Sequence, residues 1–217
     1  MNRITQLIVV CFLLLSCNQN KQLSNKSLSH SEGNHDQHQH HQEMDYNQPT
    51  DLSIYNLESK WITQNGDEIK LLDLSGKVLV MALVYTHCTY ACPRIVADIQ
   101  LIQSKIEEDH ADKVGFVLVT IDPDRDTPER LKAFARENNF DPETWTLLQG
   151  QHDDILELAA LLGVKYKKTT DTDFAHSNMI TVLNNMGEIV HQQIGLGTDP
   201  EETMGAINRT QQIQLIP

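Results

Sequence analysis

Two long apolar runs dominate the hydrophobic pattern of this chain. Residues 78–84 and 114–121 are mostly apolar, which is typical of strands buried on both faces. Between them, apolar residues recur at helical spacing from Ile95 to Ile106. This order of strand, helix and strand predicts a right-handed βαβ unit with a parallel pair of strands.

Shorter patterns on either side extend the prediction to an α/β fold. The dipeptide Asn65-Gly66 lies between two strand-like segments and predicts a β-hairpin from Trp61 to Leu71. Further strands are predicted at 145–148, 178–183 and 188–194, and helices at 131–138, 153–162 and 200–212. Residues 166–173 are predicted to form a polar loop. Three histidines fall in or beside these predicted elements. His110 is expected to end the first helix, His152 to begin a later helix and His191 to lie on a strand.

Two cysteines occupy the turn between the first apolar run and its helix. Unsatisfied N–H groups and the helix dipole favour negative charge at the start of a helix, so the pKa of Cys88 or Cys92 can be lowered there. Thiolates exchange with disulfides or bind soft metal ions. If the residues are helical, positions i and i+4 share one face and both sulfurs can face one ion. A structural disulfide or two unrelated core cysteines are the alternatives.

Composition limits the classes of function. The chain has 217 residues and a formal net charge of −13, which argues against nucleic acid and anionic membrane surfaces as partners. Two of its four cysteines, Cys11 and Cys17, lie close to the N-terminus. A four-cysteine zinc or iron–sulfur site is therefore not available from the predicted domain.

The N-terminal segment has the pattern of an export signal. Arg3 precedes an apolar run at 7–15, and residues 14–17 resemble a bacterial lipobox. We expect a signal peptide at 1–16, cleavage before Cys17 and lipidation of its sulfur, with an ordinary signal peptide or an uncleaved anchor as the alternatives. The domain is then expected on the periplasmic side of a bacterial membrane, held by the lipid on Cys17, where disulfides persist.

Residues 17–50 are predicted to form a disordered polar tether. Half of the ten histidines fall in one stretch of twelve residues inside this tether; they are His30, His35, His38, His40 and His41. Neutral imidazoles bind metals, so this tract is a candidate auxiliary metal site, and a hydrophilic spacer is the alternative. Residues 51–217 are predicted to form the single folded domain.

Two aspartates follow the second apolar run. Asp122 and Asp126 lie beyond the carboxyl end of a predicted parallel strand, where α/β sheets place binding sites. Thr127 and Pro128 suit the N-cap and first position of the next helix. Helix capping and loop solvation account for the aspartates, and a supporting role beside the cysteines or in partner docking is the alternative.

Three ordered motifs resemble the Sco/SenC family. They are Thr86-His87-Cys88-x-x-x-Cys92-Pro93, Ile121-Asp122-Pro123-x-x-Asp126-Thr127-Pro128, and His176-Ser177 before a strand. The resemblance runs from about Trp61 to the C-terminus and implies a thioredoxin-like fold, with a central mixed β-sheet flanked by helices. It also implies a copper site of two cysteines and one histidine, which map to Cys88, Cys92 and His176.

The family role is delivery of copper to the binuclear copper centre of cytochrome c oxidase, while some members instead reduce the cysteines of that centre. Thiolates favour Cu(I) and imidazole tolerates Cu(I) and Cu(II), so this ligand set suits both states. His87 can supply a fourth ligand or support the site from the turn. The sequence departs from the family at 89–91, where Pro-Asp-hydrophobe is common, and at Ala175, where many members have an acidic residue.

We therefore expect a monomeric copper chaperone whose partner is the copper-centre subunit of cytochrome c oxidase or another cuproprotein. The alternative is a thiol–disulfide oxidoreductase in which Cys88 attacks and Cys92 resolves. Passive copper sequestration by His38–His41 is a third hypothesis.

Overall fold

The computed structural model describes residues 49–213. The predicted signal peptide, the lipidation site Cys17 and the histidine tract at 30–41 lie outside these residues. The elements described are β1 (Lys60–Thr63), β2 (Glu68–Lys70), β3 (Val78–Val84), α1 (Ala91–Ser104), β4 (Val114–Thr120), α2 (Pro128–Glu137), β5 (Trp145–Gln149), α3 (His152–Leu161), β6 (Tyr166–Lys168), β7 (Phe174–His176), β8 (Met179–Leu183), β9 (Ile189–Ile194) and α4 (Glu201–Ile213).

Seven of these strands form one mixed sheet in the order β2-β1-β5-β4-β3-β8-β9. The central strands β3, β4 and β5 are parallel, while β1, β8 and β9 run antiparallel to their neighbours. Helices flank the sheet, and β1 pairs with β2 as the N-terminal hairpin. The predicted mixed α/β fold is confirmed.

The two apolar runs form the centre of this sheet. Every residue of β3 and of β4 is buried, and the strands pair in register from Val78 with Val114 to Val84 with Thr120. Burial on both faces explains why neither run alternates with polar residues. Because the parallel strands end together, the segments at 85–92 and 121–126 meet at one edge of the sheet.

The polar-loop prediction for residues 166–173 is wrong in part. Tyr166–Lys168 form β6, which pairs antiparallel with β7 so that Tyr166 lies opposite His176. Only one of the three residues of β6 is apolar, so the segment shows no hydrophobic periodicity. A contact with β7 stabilises the pairing instead. The rings of Tyr166 and Phe174 pack with their centroids 6.4 Å apart.

The cysteine helix is shorter at its C-terminus than its apolar spacing predicts. It ends at Ser104, where the N–H of Lys105 bonds the carbonyl of Ile102 in the tighter pattern of a 3-10 turn. His110 therefore lies in a separate 3-10 segment, Glu108–Lys113. As predicted, His152 begins α3 and His191 lies in β9. Between residues 49 and 213, no helix is long and apolar enough to cross a bilayer.

Candidate metal and thiol site

The two cysteines lie where β3 passes into α1. The helix begins at Ala91, so Cys92 belongs to its first turn while Cys88 lies in the preceding loop. The expectation that both sulfurs share one helical face is therefore wrong, although they do lie close together. Cys92 is 1% exposed, Cys88 is half-buried, and both are free thiols.

The start of α1 stabilises negative charge on Cys88. Burial raises the pKa of its thiol, but hydrogen bonds to the sulfur from the N–H groups of Cys92 and Tyr90 and from the side chains of Cys92 and Tyr85 together outweigh that effect. The Cys92 N–H lies 3.3 Å from the Cys88 Sγ. The net result is a pKa below the usual value for a thiol, as the helix N-terminus predicts.

Cys92 has the opposite character. Burial raises the pKa of its thiol well above the usual range, and the nearby charges of Cys88 and Asp126 raise it further. The N–H of Tyr85, 3.4 Å from the Cys92 Sγ, offsets only part of this. The pair therefore combines an accessible sulfur that ionises readily with a buried sulfur that keeps its proton.

The β6–β7 hairpin brings His176 to the cysteines. The Nε2 atom of His176 lies 3.6 Å from the Cys92 Sγ, and its Nδ1 lies 3.1 Å from the carbonyl oxygen of Ser177. A carbonyl only accepts hydrogen bonds, so Nδ1 carries the proton and the lone pair of Nε2 faces the sulfur. Burial lowers the pKa of His176, which favours this neutral form.

The three donor atoms fit a single soft ion. One atom each from Cys88, Cys92 and His176 lies within 4.8 Å of the other two. Sulfur and imidazole ligands bind at about 2.0–2.3 Å, so donors around a three-coordinate ion are about 3.5–4 Å apart. A groove of about 320 Å³ opens beside Cys88 and His176. The arrangement therefore provides two soft ligands and one imidazole, with access from one side.

The chain matches the family model described as SCO1/SenC over residues 49–212. The protein belongs to the SCO1/SenC family. Among its relatives is the SCO1 protein homolog of Bacillus subtilis, which is 26% identical over 140 residues, corresponding to 63% of this chain and 72% of that one.

Solved structures of the SCO1/SenC family share the fold. A family lipoprotein from Bacillus anthracis aligns with a TM-score of 0.65 at 27% identity, covering 72% of this chain and 95% of that one. ScoI of Bradyrhizobium japonicum, solved with copper bound, aligns with a TM-score of 0.60 at 28% identity, covering 70% and 96%. The predicted thioredoxin-like fold is confirmed.

In this SCO1/SenC protein, Asp126 fixes the loop that carries Cys88. Its fully buried carboxylate accepts hydrogen bonds from the Thr86 N–H at 2.9 Å, the Thr86 hydroxyl at 2.5 Å and the Thr120 hydroxyl at 2.6 Å. Helix capping is performed instead by Thr127, whose hydroxyl accepts from the N–H of Arg130. The capping assignment for Asp126 is therefore wrong, and this carboxylate joins the end of β4 to the cysteine loop.

The other two predicted supporting residues lie beside Asp126. Asp122 is buried and forms an ion pair with Arg125, whose guanidinium also donates to the carbonyl of Thr172 in the loop before β7. The side chain of His87 is 43% exposed, and its Nδ1 lies 3.3 Å from the Asp126 carboxylate. His87 thus lies with the two aspartates, each of which already accepts hydrogen bonds, and not with the thiols.

Tyr85 is a site residue that the sequence patterns did not single out. It is buried at the end of β3, and its hydroxyl contacts the Cys88 thiol and accepts from the N–H of Phe174 at 3.5 Å. Its ring packs 5.3 Å from that of Phe174 and edge-on to that of His176, 6.0 Å away. Burial raises the pKa of Tyr85 to about 12, so the phenol remains a donor. The sequence did contain one signal for this role: Tyr85 is a polar aromatic residue that directly follows the apolar run at 78–84.

Proposed function

We propose that this protein binds one copper ion through Cys88, Cys92 and His176 and delivers it to the binuclear copper centre of cytochrome c oxidase. The observation that carries the proposal is the convergence of two sulfurs and one imidazole nitrogen within 4.8 Å. Two comparisons support it. The related ScoI of B. japonicum has a structure with copper bound, and a structural neighbour is described as a member of the Sco family of cytochrome c oxidase assembly proteins.

Delivery requires a site that holds copper firmly and still releases it. Thiolates bind Cu(I) well and the imidazole also suits Cu(II). Three protein ligands leave a coordination position for a ligand of the recipient, which can enter through the groove beside Cys88. Copper then passes by ligand exchange: the recipient's donor binds first, and the sulfurs of this protein leave afterwards.

The same proposal includes a location and an auxiliary site. The protein is a monomer on the periplasmic side, anchored through lipid on Cys17, and the segment 17–50 spaces the domain from the membrane. The related B. anthracis protein is a lipoprotein. His35, His38, His40 and His41 form an auxiliary copper-binding tract on this tether.

Copper titration of the full chain tests the proposal. We replace Cys11 and Cys17 with serine, so that Cys88 and Cys92 are the two remaining cysteines. At the thiol site, reduced protein is expected to bind one Cu(II) with a thiolate-to-copper charge-transfer band and a matching EPR signal, and Cys88→Ser is expected to lose both. Copper on the histidine tract gives no such band.

A deletion of residues 30–41 provides the comparison with sequestration. The chaperone proposal predicts that the charge-transfer complex survives the deletion with its stoichiometry of one. Loss of nearly all bound copper on deletion would mean that the histidine tract is the main binder, and the proposed transfer site would be wrong.

A second function, thiol–disulfide reduction, is favoured by the contrast between the two thiols. The lowered pKa of Cys88 suits a nucleophile and the buried thiol of Cys92 suits a resolving group. Cys88 attacks a partner disulfide and releases one partner thiol, and Cys92 then displaces the other. The partner gains two electrons, and this protein is left with a Cys88–Cys92 disulfide that a dithiol reductant must restore. Rapid copper-free reduction together with no charge-transfer band would favour this function over copper delivery.

A further inference from the structure

Three exposed lysines form a positive patch on the hairpin that carries His176. Lys165 directly precedes β6, and Lys167 and Lys168 belong to it. All three are exposed, and none of them is in the ion pairs found among residues 49–213. We call these three residues the lysine patch. Lys60 and Lys70 each pair with a glutamate. The lysines of the patch form no such pair with a carboxylate in the part of the chain that the structure describes.

Two residues of the lysine patch, Lys165 and Lys167, line a groove that His176 also lines. In the hairpin, Lys167 lies opposite Ala175 and Tyr166 lies opposite His176. An open groove of about 390 Å³ runs beside them, and its lining contains no acidic residue; the lining residues are Lys165, Tyr166, Lys167, Ala175, His176 and Ser177. His176 also lines the groove of Cys88. The same imidazole therefore lies between a positively charged groove and the thiol groove.

The patch differs in sign from most of the molecule. The chain carries a formal charge of −13, so three lysines within four residues are a local exception. The loop of the same hairpin contains Asp171 and Asp173, and the carboxylate of Asp173 accepts from the hydroxyls of Thr170 and Thr172. Asp173 lines the thiol groove but not the lysine groove. Charge thus changes sign across His176.

We infer that the lysine patch is a docking surface for an acidic segment of the protein that exchanges copper or thiols at this site. The inference rests on the proposed function, because it names the kind of partner that the site serves. A segment with two or more carboxylates in the lysine groove would place its neighbouring residues against His176 and Cys88. Complementary charge increases the rate of encounter and fixes the orientation of a bound partner.

Charge favours a protein over a membrane as the occupant of the groove. An anionic bilayer presents a wide negative surface to the whole domain, and a net charge of −13 opposes that approach. A short acidic segment meets only the groove and its lysines. The two occupants are separated by the test below.

The test measures thiol exchange with charged disulfide peptides. The probe is a short peptide with a central cysteine activated as its 2-thiopyridyl disulfide and flanked by four glutamates, and a glutamine version is the neutral reference. Cys88 attacks the disulfide, forms a mixed disulfide with the peptide and releases thiopyridone, whose absorbance gives the rate. The protein is the full chain with Cys11→Ser and Cys17→Ser.

At low ionic strength we expect the glutamate peptide to react about 3- to 10-fold faster than the glutamine peptide, with the ratio falling as salt is added. Lys165→Gln, Lys167→Gln and Lys168→Gln combined should bring the ratio to about one. The matched control replaces Lys77, Lys105 and Lys113 with glutamine, since these residues lie where β3 and β4 begin and where α1 ends, away from the thiols. This control removes the same charge and should keep the wild-type ratio.

Two outcomes would overturn the inference. One is a control variant in which the ratio of glutamate-peptide rate to glutamine-peptide rate falls as much as in the lysine-patch variant, which would show a general charge effect. The other is a ratio near one in the wild type together with lysine-patch-dependent binding to phosphatidylglycerol vesicles, which would assign the patch to a membrane. The assay contains no copper, and the patch variant is expected to bind copper as the wild type does. A failure of docking is therefore distinguishable from a failure of copper binding.

Discussion

The Nε2 atom of His176 lies 3.6 Å from the Sγ of Cys92, although 84 residues separate them in the chain. Cys92 is held by the first turn of α1, and His176 ends the short strand β7. Two independent parts of the fold are therefore needed to assemble one donor set. Removing either part should affect metal binding and thiol exchange differently.

Substitution of His176 by alanine should separate the two candidate functions. Loss of the imidazole ligand is expected to weaken Cu(II) binding by more than about 100-fold, because even residues that only orient a ligand cost 10–100-fold. Disulfide exchange by Cys88 and Cys92 should remain within about threefold of the wild type, because the backbone N–H donors to both sulfurs remain when the imidazole is lost. EPR-monitored titration and exchange kinetics give the two values.

His152→Ala is the matched control for this prediction, since His152 is an exposed histidine at the start of α3. It should leave both measurements unchanged. Normal oxidase maturation in cells that contain only the His176→Ala protein would contradict the chaperone proposal.

The two cysteines should react with iodoacetamide in a fixed order. The pKa of Cys88 is lowered, so at a given pH a larger fraction of its thiol is ionised than in an ordinary cysteine, and that fraction falls as the pH is lowered. The pKa of Cys92 is raised, so its thiolate forms only under strongly alkaline conditions. Labelling of the reduced full chain with Cys11→Ser and Cys17→Ser across a pH series, with fragment-ion mass spectrometry to locate the label, should find Cys88 modified before Cys92. Equal rates for both cysteines at neutral pH would show that the start of α1 does not distinguish them.

Replacing Tyr85 with phenylalanine should alter Cys88 without disturbing the core. The substitution removes only the hydroxyl that contacts the Cys88 sulfur and accepts from Phe174. Loss of a donor to the thiolate raises the pKa of Cys88, so alkylation at a fixed neutral pH should slow by about 2- to 10-fold.

Two comparisons check the Tyr85 prediction. Tyr166 also packs on Phe174, and the hydrogen bonds found among residues 49–213 include none from its hydroxyl to Cys88. Tyr166→Phe should therefore leave the alkylation rate unchanged. The urea midpoint of the Tyr85→Phe protein should stay close to that of the wild type. A large fall in stability would mean that the hydroxyl mainly supports the hairpin.

Asp126→Asn should destabilise the domain. The amide keeps one acceptor oxygen only. Its NH₂ group would have to replace either Oδ1, which accepts from the Thr86 hydroxyl, or Oδ2, which accepts from the Thr120 hydroxyl and the Thr86 N–H. Unsatisfied buried groups cost about 1–3 kcal/mol each, so we expect a loss of about that size in the free energy of unfolding by urea. The control is Asp124→Asn, since the Asp124 side chain is exposed and only two residues away in the chain. This substitution should lower the free energy of unfolding by less than about 0.5 kcal/mol. A similar loss for both variants would argue against a special role for Asp126.

Local patterns were sufficient for most of the fold because its central strands are buried on both faces. The continuous apolar runs at 78–84 and 114–121 could belong to few other structures, and the N-cap at Thr127 fixed the start of α2. The short strand β6 was missed because its pairing with β7 is decided by packing of Tyr166 on Phe174 and not by its own polar sequence.

The sequence by itself determined the chemistry of the site: two cysteines at the start of a helix, and a histidine that a family motif singled out. Only the tertiary structure decided the distances and the environments. It buried Cys92 while Cys88 stayed half-exposed, oriented His176 through the carbonyl of Ser177, and brought the Tyr85 hydroxyl near the Cys88 sulfur. The reason is physical: residue type fixes which atoms can donate or bind, whereas burial and hydrogen bonding depend on neighbours that are distant in the chain.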